Sequence, residues 1–240
     1  MAGQPLVLHG MSSPNVGKVV LMLEETALPY EFRRVGVMAG EQNDAAFLAL
    51  NPNGKVPVLV DPDGPDGPVT IFESGAILIY LAEKTGRFWP AHGAARYAAL
   101  QWLMFQMAGL GPNFGQAIHF NFATKEDGYG RRRFTIELKR LIEVVEERLG
   151  AAPFLAGDDY SIADMAVFPW RQTIAKFFPA EIERPNIVRW SAAIEARPAV
   201  ARMRATLDPV AQLDGEAMRA ATPAQRDLYF GRVERPSQHP

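Results

Sequence analysis

The stretch Asn51-Pro52-Asn53-Gly54-Lys55-Val56-Pro57-Val58-Leu59-Val60 joins a turn to a short apolar run that contains a proline. Its first four residues are strong turn formers, so they end the element that precedes them. Proline donates no backbone hydrogen bond, and within sheets it is confined to edges or to positions of special backbone geometry. A cis bond between Val56 and Pro57 would supply such a geometry. The stretch therefore predicts a turn followed by a strand that begins at an unusual proline.

The segments on either side of this strand alternate between strand and helix patterns. Short apolar or alternating runs predict strands, and apolar residues at helical spacing predict helices. The predicted strands cover residues 5–10, 30–37, 56–60 and 69–72, and the predicted helices cover residues 19–25, 45–50 and 76–84. The last two strands can pair as a hairpin. This βαβ-ββα order, with a proline entering the third strand, is that of the thioredoxin fold.

After residues 87–93 the pattern becomes almost entirely helical, which predicts an all-α second domain. Helices are expected at residues 94–116, 130–149, 161–177 and 187–196. The sequence Ser161-Ile162-Ala163-Asp164 is a capping box, for which we favour a purely structural role. We therefore expect an α+β domain over residues 1–88, an all-α domain over 94–208, and a polar, proline-containing tail over 209–240.

Composition excludes several classes of function. The 240 residues carry a net charge of −2, and the one basic cluster, Arg131 to Arg133, is too short to indicate nucleic-acid binding. No cysteine is present, so a disulfide framework, a thiolate metal site and a cysteine nucleophile are all excluded. Neither a signal peptide nor a run of ~20 apolar residues is evident. We expect a cytoplasmic protein without a metal, a nucleic-acid partner or a membrane partner, and any thiol chemistry must use an external thiol.

The first candidate site is Ser13-Pro14-Asn15-Val16-Gly17-Lys18, between the first strand and the first helix. Its polar side chains could simply cap the helix. They could equally converge on an anion, because free N–H groups and the helix dipole favour negative charge there. A thiolate is such an anion, and hydrogen bonds to it lower the pKa of a thiol from ~8.5.

The second candidate site is Phe72-Glu73-Ser74-Gly75-Ala76-Ile77, at another helix start. A cap is again the simpler reading. However, Glu73 can hold an ammonium group, and Ser74 with its amide can hold a carboxylate. Both charges occur together at the amino-acid end of a γ-glutamyl group. The backbone of Val56 could then pair with an extended peptide as an added strand.

These motifs resemble the glutathione transferase superfamily. The resemblance rests on the stretch from Asn51 to Pro57, on residues 72–81 and on the capping box at Ser161, and it covers most of the chain up to about residue 200. It implies a glutathione-binding thioredoxin-like domain followed by the all-α domain of the superfamily. It also implies a homodimer in which the helical domain of one subunit faces the thioredoxin-like domain of the other.

Within the superfamily the sequence is most similar to the bacterial nu class of disulfide-bond oxidoreductases. This likeness rests on four motifs: Ser-Pro-Asn at 13–15, Glu-Lys-Thr-Gly at 83–86, and Leu-Gln-Trp-Leu and Gly-Leu-Gly-Pro between Leu100 and Pro112. Members of the class commonly have threonine where this chain has Ser13. Serine keeps the hydroxyl donor, although Ser12 could compete for the role.

The resemblance implies a role for eight residues. Ser13 and Asn15 would be catalytic and face the glutathione sulfur. The expected glutathione-binding residues are Gln42, Lys55, Val56, Glu73, Ser74 and Arg133. Val56 would pair with the backbone of the cysteinyl residue, and Glu73 and Ser74 would hold the γ-glutamyl end. Arg133 would reach a carboxylate of glutathione. Without the family match, Arg133 would be read as a solvated helix charge.

The expected function is glutathione-dependent reduction of disulfides, in which the attacking sulfur belongs to glutathione and one or two glutathione molecules are bound. A conventional transferase would use the same thiolate to attack an electrophilic carbon. A non-catalytic glutathione-binding protein is the alternative from another class. His119, beside Phe120 and Phe122, is more readily explained as a packed residue than as a general base.

Overall fold

A four-stranded mixed sheet organises the N-terminal part of the computed structural model, which describes residues 4–124 and 128–234. Its strands are β1 (Leu6–Gly10), β2 (Tyr30–Arg34), β3 (Val58–Asp61) and β4 (Val69–Phe72), in the order β2-β1-β3-β4. β1 runs parallel to β2, whereas β3 is antiparallel to both β1 and β4. The thioredoxin-like βαβ-ββα fold is confirmed. The ends of the predicted first domain and tail, residues 1–3 and 235–240, lie outside the described residues.

Three helices accompany the sheet, namely α1 (Pro14–Thr26), α2 (Ala45–Leu50) and α3 (Ser74–Thr85). α1 begins five residues before the predicted start, since a proline suits the first helical position and Ser13 caps it. α1 packs against α3 and also against helices of the C-terminal half. It therefore lies at the junction of the two halves of the molecule.

Most of the remaining described chain is helical. Its helices are α4 (Gly93–Met104), α5 (Gly111–Ile118), α6 (Tyr129–Ala151), α7 (Ile162–Phe177), α8 (Pro185–Glu195), α9 (Pro198–Ala220) and α10 (Pro223–Tyr229). Two π-helical segments, Phe105–Leu110 and His119–Ala123, follow α4 and α5. Single 3₁₀ turns occur at Glu41–Asn43 and Pro179–Glu181. The predicted helix over 94–116 is thus two α-helices joined by a π-helical turn.

The capping box at the start of α7 is confirmed as a structural feature. Asp164 is fully buried and accepts hydrogen bonds from the backbone N–H groups of Ser161 at 3.0 Å and Leu155 at 2.9 Å. The indole Nε1 of Trp190 also donates to it, at 2.8 Å. Burial nevertheless raises the pKa of Asp164. This carboxylate joins α7, α8 and the segment that precedes α7.

The C-terminal segment differs from the expected tail, because α9 continues through Pro209 to Ala220. A proline inside a helix removes one backbone hydrogen bond. Before Pro209, ion pairs to α1 hold the start of the helix, where its N-cap residue Arg197 pairs with Glu25 and Arg202 pairs with Glu24. Beyond Pro209, Asp214 pairs with Arg34 of β2. Tertiary contacts therefore hold the helix on both sides of the proline.

Candidate functional site

A cavity of about 500 Å³ lies where the N-terminal half meets α5 and α10. The cavity is lined by Met11, Ser13, Asn15, Val37, Gln42, Gly54, Lys55, Val56, Gly115, Ile118, His119, Ala123, Tyr229 and Phe230. The wall of this cavity brings together five of the eight predicted site residues, namely Ser13, Asn15, Gln42, Lys55 and Val56. The volume suits a small ligand, and the lining combines polar with apolar residues.

Ser13 caps α1 and faces the cavity at the same time. Its backbone is extended, with φ of −142°, and its Oγ accepts a hydrogen bond from the N–H of Val16 at 3.4 Å. The hydroxyl proton is not needed for that bond, so it can be donated to an anion at the helix start. Ser12 does not line the cavity, and its N–H donates to the Asp214 carboxylate at 2.8 Å.

Asn15 is oriented by a tryptophan that the sequence did not single out. The indole Nε1 of Trp170 donates to Asn15 Oδ1 at 3.2 Å. An indole N–H can only donate, so the amide oxygen must face Trp170. The Asn15 Nδ2 group is consequently directed away from Trp170 and is free to donate two hydrogen bonds.

Val56 and Gln42 present further polar groups to the cavity. The bond between Val56 and Pro57 is cis, as predicted, and the backbone of Val56 makes no hydrogen bond to residues 4–124 or 128–234. Gln42 is buried, and its Oε1 has no partner within the described chain. Buried polar atoms are normally hydrogen-bonded, so Gln42 and Val56 are suited to a ligand. Lys55 lies beside them, and its carbonyl accepts from Asn51 Nδ2 at 2.7 Å.

Glu73 and Ser74 do not line this cavity but follow the strand that pairs with β3. Phe72 is opposite Val58, which places Glu73 at the same end of the sheet as Val56. Glu73 has a φ of 71°, in a region that residues other than glycine rarely adopt. Strain of this kind clusters at functional sites. Ser74 is buried at the first position of α3.

Lys18 is the residue that sequence reasoning missed. The sequence predicts that it lies in a polar segment before the first helix, whereas in the structure it lies in α1 and is only 1% exposed. Its Nζ donates to Gln106 Oε1 at 2.6 Å, to Ser74 Oγ at 3.3 Å and to Met107 Sδ at 3.3 Å. Burial lowers the pKa of Lys18 to about 7, although the negative charge of Glu73 opposes this. The one available signal was its position within the run Val16–Leu23, whose other residues are apolar or glycine.

Arg133 is not brought to the cavity within one chain. It is exposed on α6 and lines a separate depression of about 600 Å³ with Asn113, Tyr129, Arg132, Phe134, Ile136 and Glu137. Tyr129 and Ile136 on this surface are 72% and 66% exposed. This part of α6 is therefore a partly apolar surface with a cationic group.

The C-terminal segment covers the cavity. Tyr229 and Phe230 line it, and the ring of His119 lies 6.4 Å from Phe230 and 5.4 Å from Phe120. His119 is thus packed among aromatic rings while it also lines the cavity. Asp214 on α9 anchors the segment, because it accepts the N–H of Ser12 and pairs with Arg34 at 2.7 Å.

Residues 4–124 and 128–234 contain no group of three or more His, Cys, Asp or Glu side chains placed to hold a metal ion. Over the same residues, none of the helices combines the length and the hydropathy required to cross a membrane.

Comparison with known proteins finds a matching family profile in each half of the chain. A family profile for the glutathione S-transferase N-terminal domain matches residues 12–84, and one for the C-terminal domain matches residues 135–198. The chain is 42% identical over 195 residues to the disulfide-bond oxidoreductase YfcG of Escherichia coli, covering 80% of this chain and 91% of YfcG. It is 37% identical over 217 residues to the disulfide-bond oxidoreductase YghU of the same organism, covering 83% of this chain and 74% of YghU.

Solved structures give the same result. A glutathione transferase from Burkholderia graminis, with two glutathione molecules bound per subunit, is 48% identical and superposes with a TM-score of 0.78. That match covers 83% of this chain and 87% of the other. A glutathione transferase from Pseudomonas putida, with one glutathione disulfide bound per subunit, is 40% identical with a TM-score of 0.77. That match covers 83% of this chain and 90% of the other.

Proposed function

Because this chain belongs to the glutathione S-transferase family, we propose that it is an enzyme that uses the thiol of bound glutathione to reduce disulfide bonds. The cavity beside α1 is the proposed glutathione site. The names of YfcG and YghU and the glutathione ligands of the matched structures support this function.

The observation that carries the proposal is the pairing of an anion site with a chain that has no cysteine. Ser13 and Asn15 present O–H and N–H donors at the N-terminus of α1. These donors stabilise a thiolate more than a thiol, and so lower the thiol pKa of a bound ligand. Since the protein has no sulfhydryl group of its own, the thiolate must be that of glutathione.

The remaining predicted residues would hold the rest of the glutathione molecule. The unpaired backbone of Val56 would pair with the cysteinyl residue, and Gln42 and Lys55 would contact the glycine end. Glu73 would pair with the α-ammonium of the γ-glutamyl group, while Ser74 would donate to its α-carboxylate. Charge-assisted bonds of this kind are roughly twice as strong as neutral ones.

The reaction proceeds by two exchanges at sulfur. The thiolate of one glutathione attacks a substrate disulfide, forms a mixed disulfide and releases the first substrate sulfur as a thiolate. A second glutathione thiolate attacks the mixed disulfide, which yields glutathione disulfide and releases the second substrate sulfur. Two protons taken from the two glutathione thiols complete the two product thiols. The side chains of Ser13 and Asn15 stabilise the attacking thiolate by hydrogen bonds and form no covalent bond during the reaction.

Conjugation to an electrophile is the second candidate, and the aromatic wall supports it. Tyr229, Phe230 and Ile118 provide an apolar surface beside the sulfur position. An aromatic electrophile could stack there and be attacked at carbon by the same thiolate.

We also propose that the protein is a cytoplasmic homodimer of the nu class. The exposed Tyr129 and Ile136 near Arg133 support a subunit contact on α6. In such a dimer Arg133 would reach a glutathione carboxylate of the other subunit. A cytoplasmic location suits an enzyme that consumes reduced glutathione, because that compartment keeps glutathione reduced.

The test is the rate of 2-hydroxyethyl disulfide reduction with glutathione, measured beside the conjugation of chlorodinitrobenzene. Strong reduction with weak conjugation is expected. The reverse would make the protein a conventional transferase. Glutathione binding without turnover in either assay would make it a binding protein.

A further inference from the structure

Among the described residues, no carboxylate forms an ion pair or a hydrogen bond with the buried amine of Lys18. All three hydrogen-bond acceptors around it are neutral, namely the Ser74 hydroxyl, the Gln106 amide and the Met107 thioether. An ammonium removed from water is costly unless it is paired with an anion. This cost is what lowers the pKa of Lys18 to about 7.

Four elements pack around this part of α1. From α3, Ser74 contacts the amine and Glu73 supplies a negative field. The π-helical segment after α4 contributes Gln106 and Met107, and α7 contributes the indole of Trp170, whose centroid is 6.0 Å from Nζ. α9 supplies Arg202 and its N-cap residue Arg197, which pair with Glu24 and Glu25 near the other end of α1. Among the described residues, Glu73 is the ionisable group whose negative charge raises the pKa of Lys18 against the effect of burial.

Ser74 connects this amine to the proposed ligand site. Its Oγ accepts from Lys18 at 3.3 Å, while its own hydroxyl is directed at Met107 Sδ, 3.7 Å away. A thioether is a weak acceptor. A carboxylate at the start of α3 is a far better acceptor, and it would lie one hydroxyl group away from the Lys18 amine.

We infer that Lys18 is a positioning residue that acts through Ser74 as the buried counter-ion for the α-carboxylate of the γ-glutamyl group, so that ligand binding takes up a proton at Lys18. This inference rests on the proposed function. The ammonium polarises the Ser74 hydroxyl toward the carboxylate, and the carboxylate supplies the negative charge that the buried amine lacks.

The sign of the pH dependence follows from linkage. A bound carboxylate raises the pKa of Lys18 above its value of about 7 in the free protein. Below pH ~7 the amine is already protonated, so binding takes up no proton there. Above that pH binding requires protonation, and the affinity falls. If ligand binding raises the Lys18 pKa by about two units, the affinity should be about ten-fold weaker at pH ~8 than at pH ~6.

The test is calorimetric binding of S-methylglutathione, which has no thiol to titrate, at pH ~6 and ~8 in buffers of different ionisation enthalpy. We expect little proton uptake at the lower pH and nearly one proton per site at the higher pH. In Lys18→Met the uptake should vanish and the affinity should be weaker and nearly independent of pH. Lys139→Met, at an exposed lysine on α6, should behave as the parent protein. Lys18→Gln serves as the second variant if methionine does not fold.

Each outcome has a distinct meaning. Binding to the parent protein without proton uptake at either pH would overturn the role of Lys18 while leaving the proposed function intact. Uptake that persists in Lys18→Met would belong to another group and would also overturn it. An absence of binding at both pH values would overturn the proposed function, and the inference with it.

Discussion

Replacement of Asn15 by alanine removes the amide that is expected to donate to the glutathione sulfur. Trp170 fixes the amide oxygen at 3.2 Å, so Nδ2 is the group available to the thiolate. A hydrogen bond to a charged group contributes about 1.5–3 kcal/mol. At ~1.4 kcal/mol per factor of ten, its loss should lower kcat/KM for disulfide reduction by roughly 10- to 150-fold. The pKa read from the pH–rate profile should rise by one to two units, because the thiolate loses a stabilising donor.

The matched control is Asn15→Asp. Aspartate keeps an oxygen for the Trp170 indole and so preserves the local structure, but it donates no hydrogen bond and repels a thiolate. If Asn15 acts as a donor, the aspartate variant should be at least as impaired as the alanine variant. If Asn15 merely supports Trp170, aspartate should be nearly normal. An unchanged pH–rate profile in Asn15→Ala would refute the assigned role.

Three further predictions concern residues outside the sulfur site. Asp164→Ala should lower the free energy of unfolding, measured by urea titration, by about 3–5 kcal/mol. The cause is that three N–H groups, including that of Trp190, lose their buried acceptor. A loss below ~1 kcal/mol would contradict this. The Lys18 pKa of about 7 lies below its unfolded value of 10.5, so the unfolded state binds more protons between these values. The free energy of unfolding should therefore rise with pH across that window, and Lys18→Met should flatten the rise. Arg133→Gln should raise KM for glutathione up to about five-fold, as expected for an exposed ion pair, without altering kcat; a loss of kcat alone would argue against a binding role.

The elements that the sequence predicted well are those in which local pattern and burial coincide. The predicted short helix over 45–50 is α2. Pro57 lies just before β3 and has the expected cis bond to Val56. The short apolar run over 5–10 forms β1, along which burial alternates. Five of the eight predicted site residues share one cavity wall, because turns at strand ends bring residues 13–15, 42 and 55–56 to the same edge.

The features that could not be predicted depend on contacts between distant parts of the chain. Lysine in a helix is normally solvated, and its burial at position 18 depends on Gln106, a partner from the other half of the molecule. The orientation of Asn15 likewise depends on Trp170, 155 residues away. The cavity wall formed by Tyr229 and Phe230 depends on α9 continuing past Pro209, which its local sequence disfavours.

The central claim, that the site at the N-terminus of α1 ionises the thiol of bound glutathione, is tested most directly by titrating the ultraviolet absorbance of the thiolate in the complex. A free cysteine thiol has a pKa of ~8.5. In the complex of the parent protein we expect the glutathione thiol to have a pKa about two units lower. A bound thiol that ionises no more readily than a free one would contradict it.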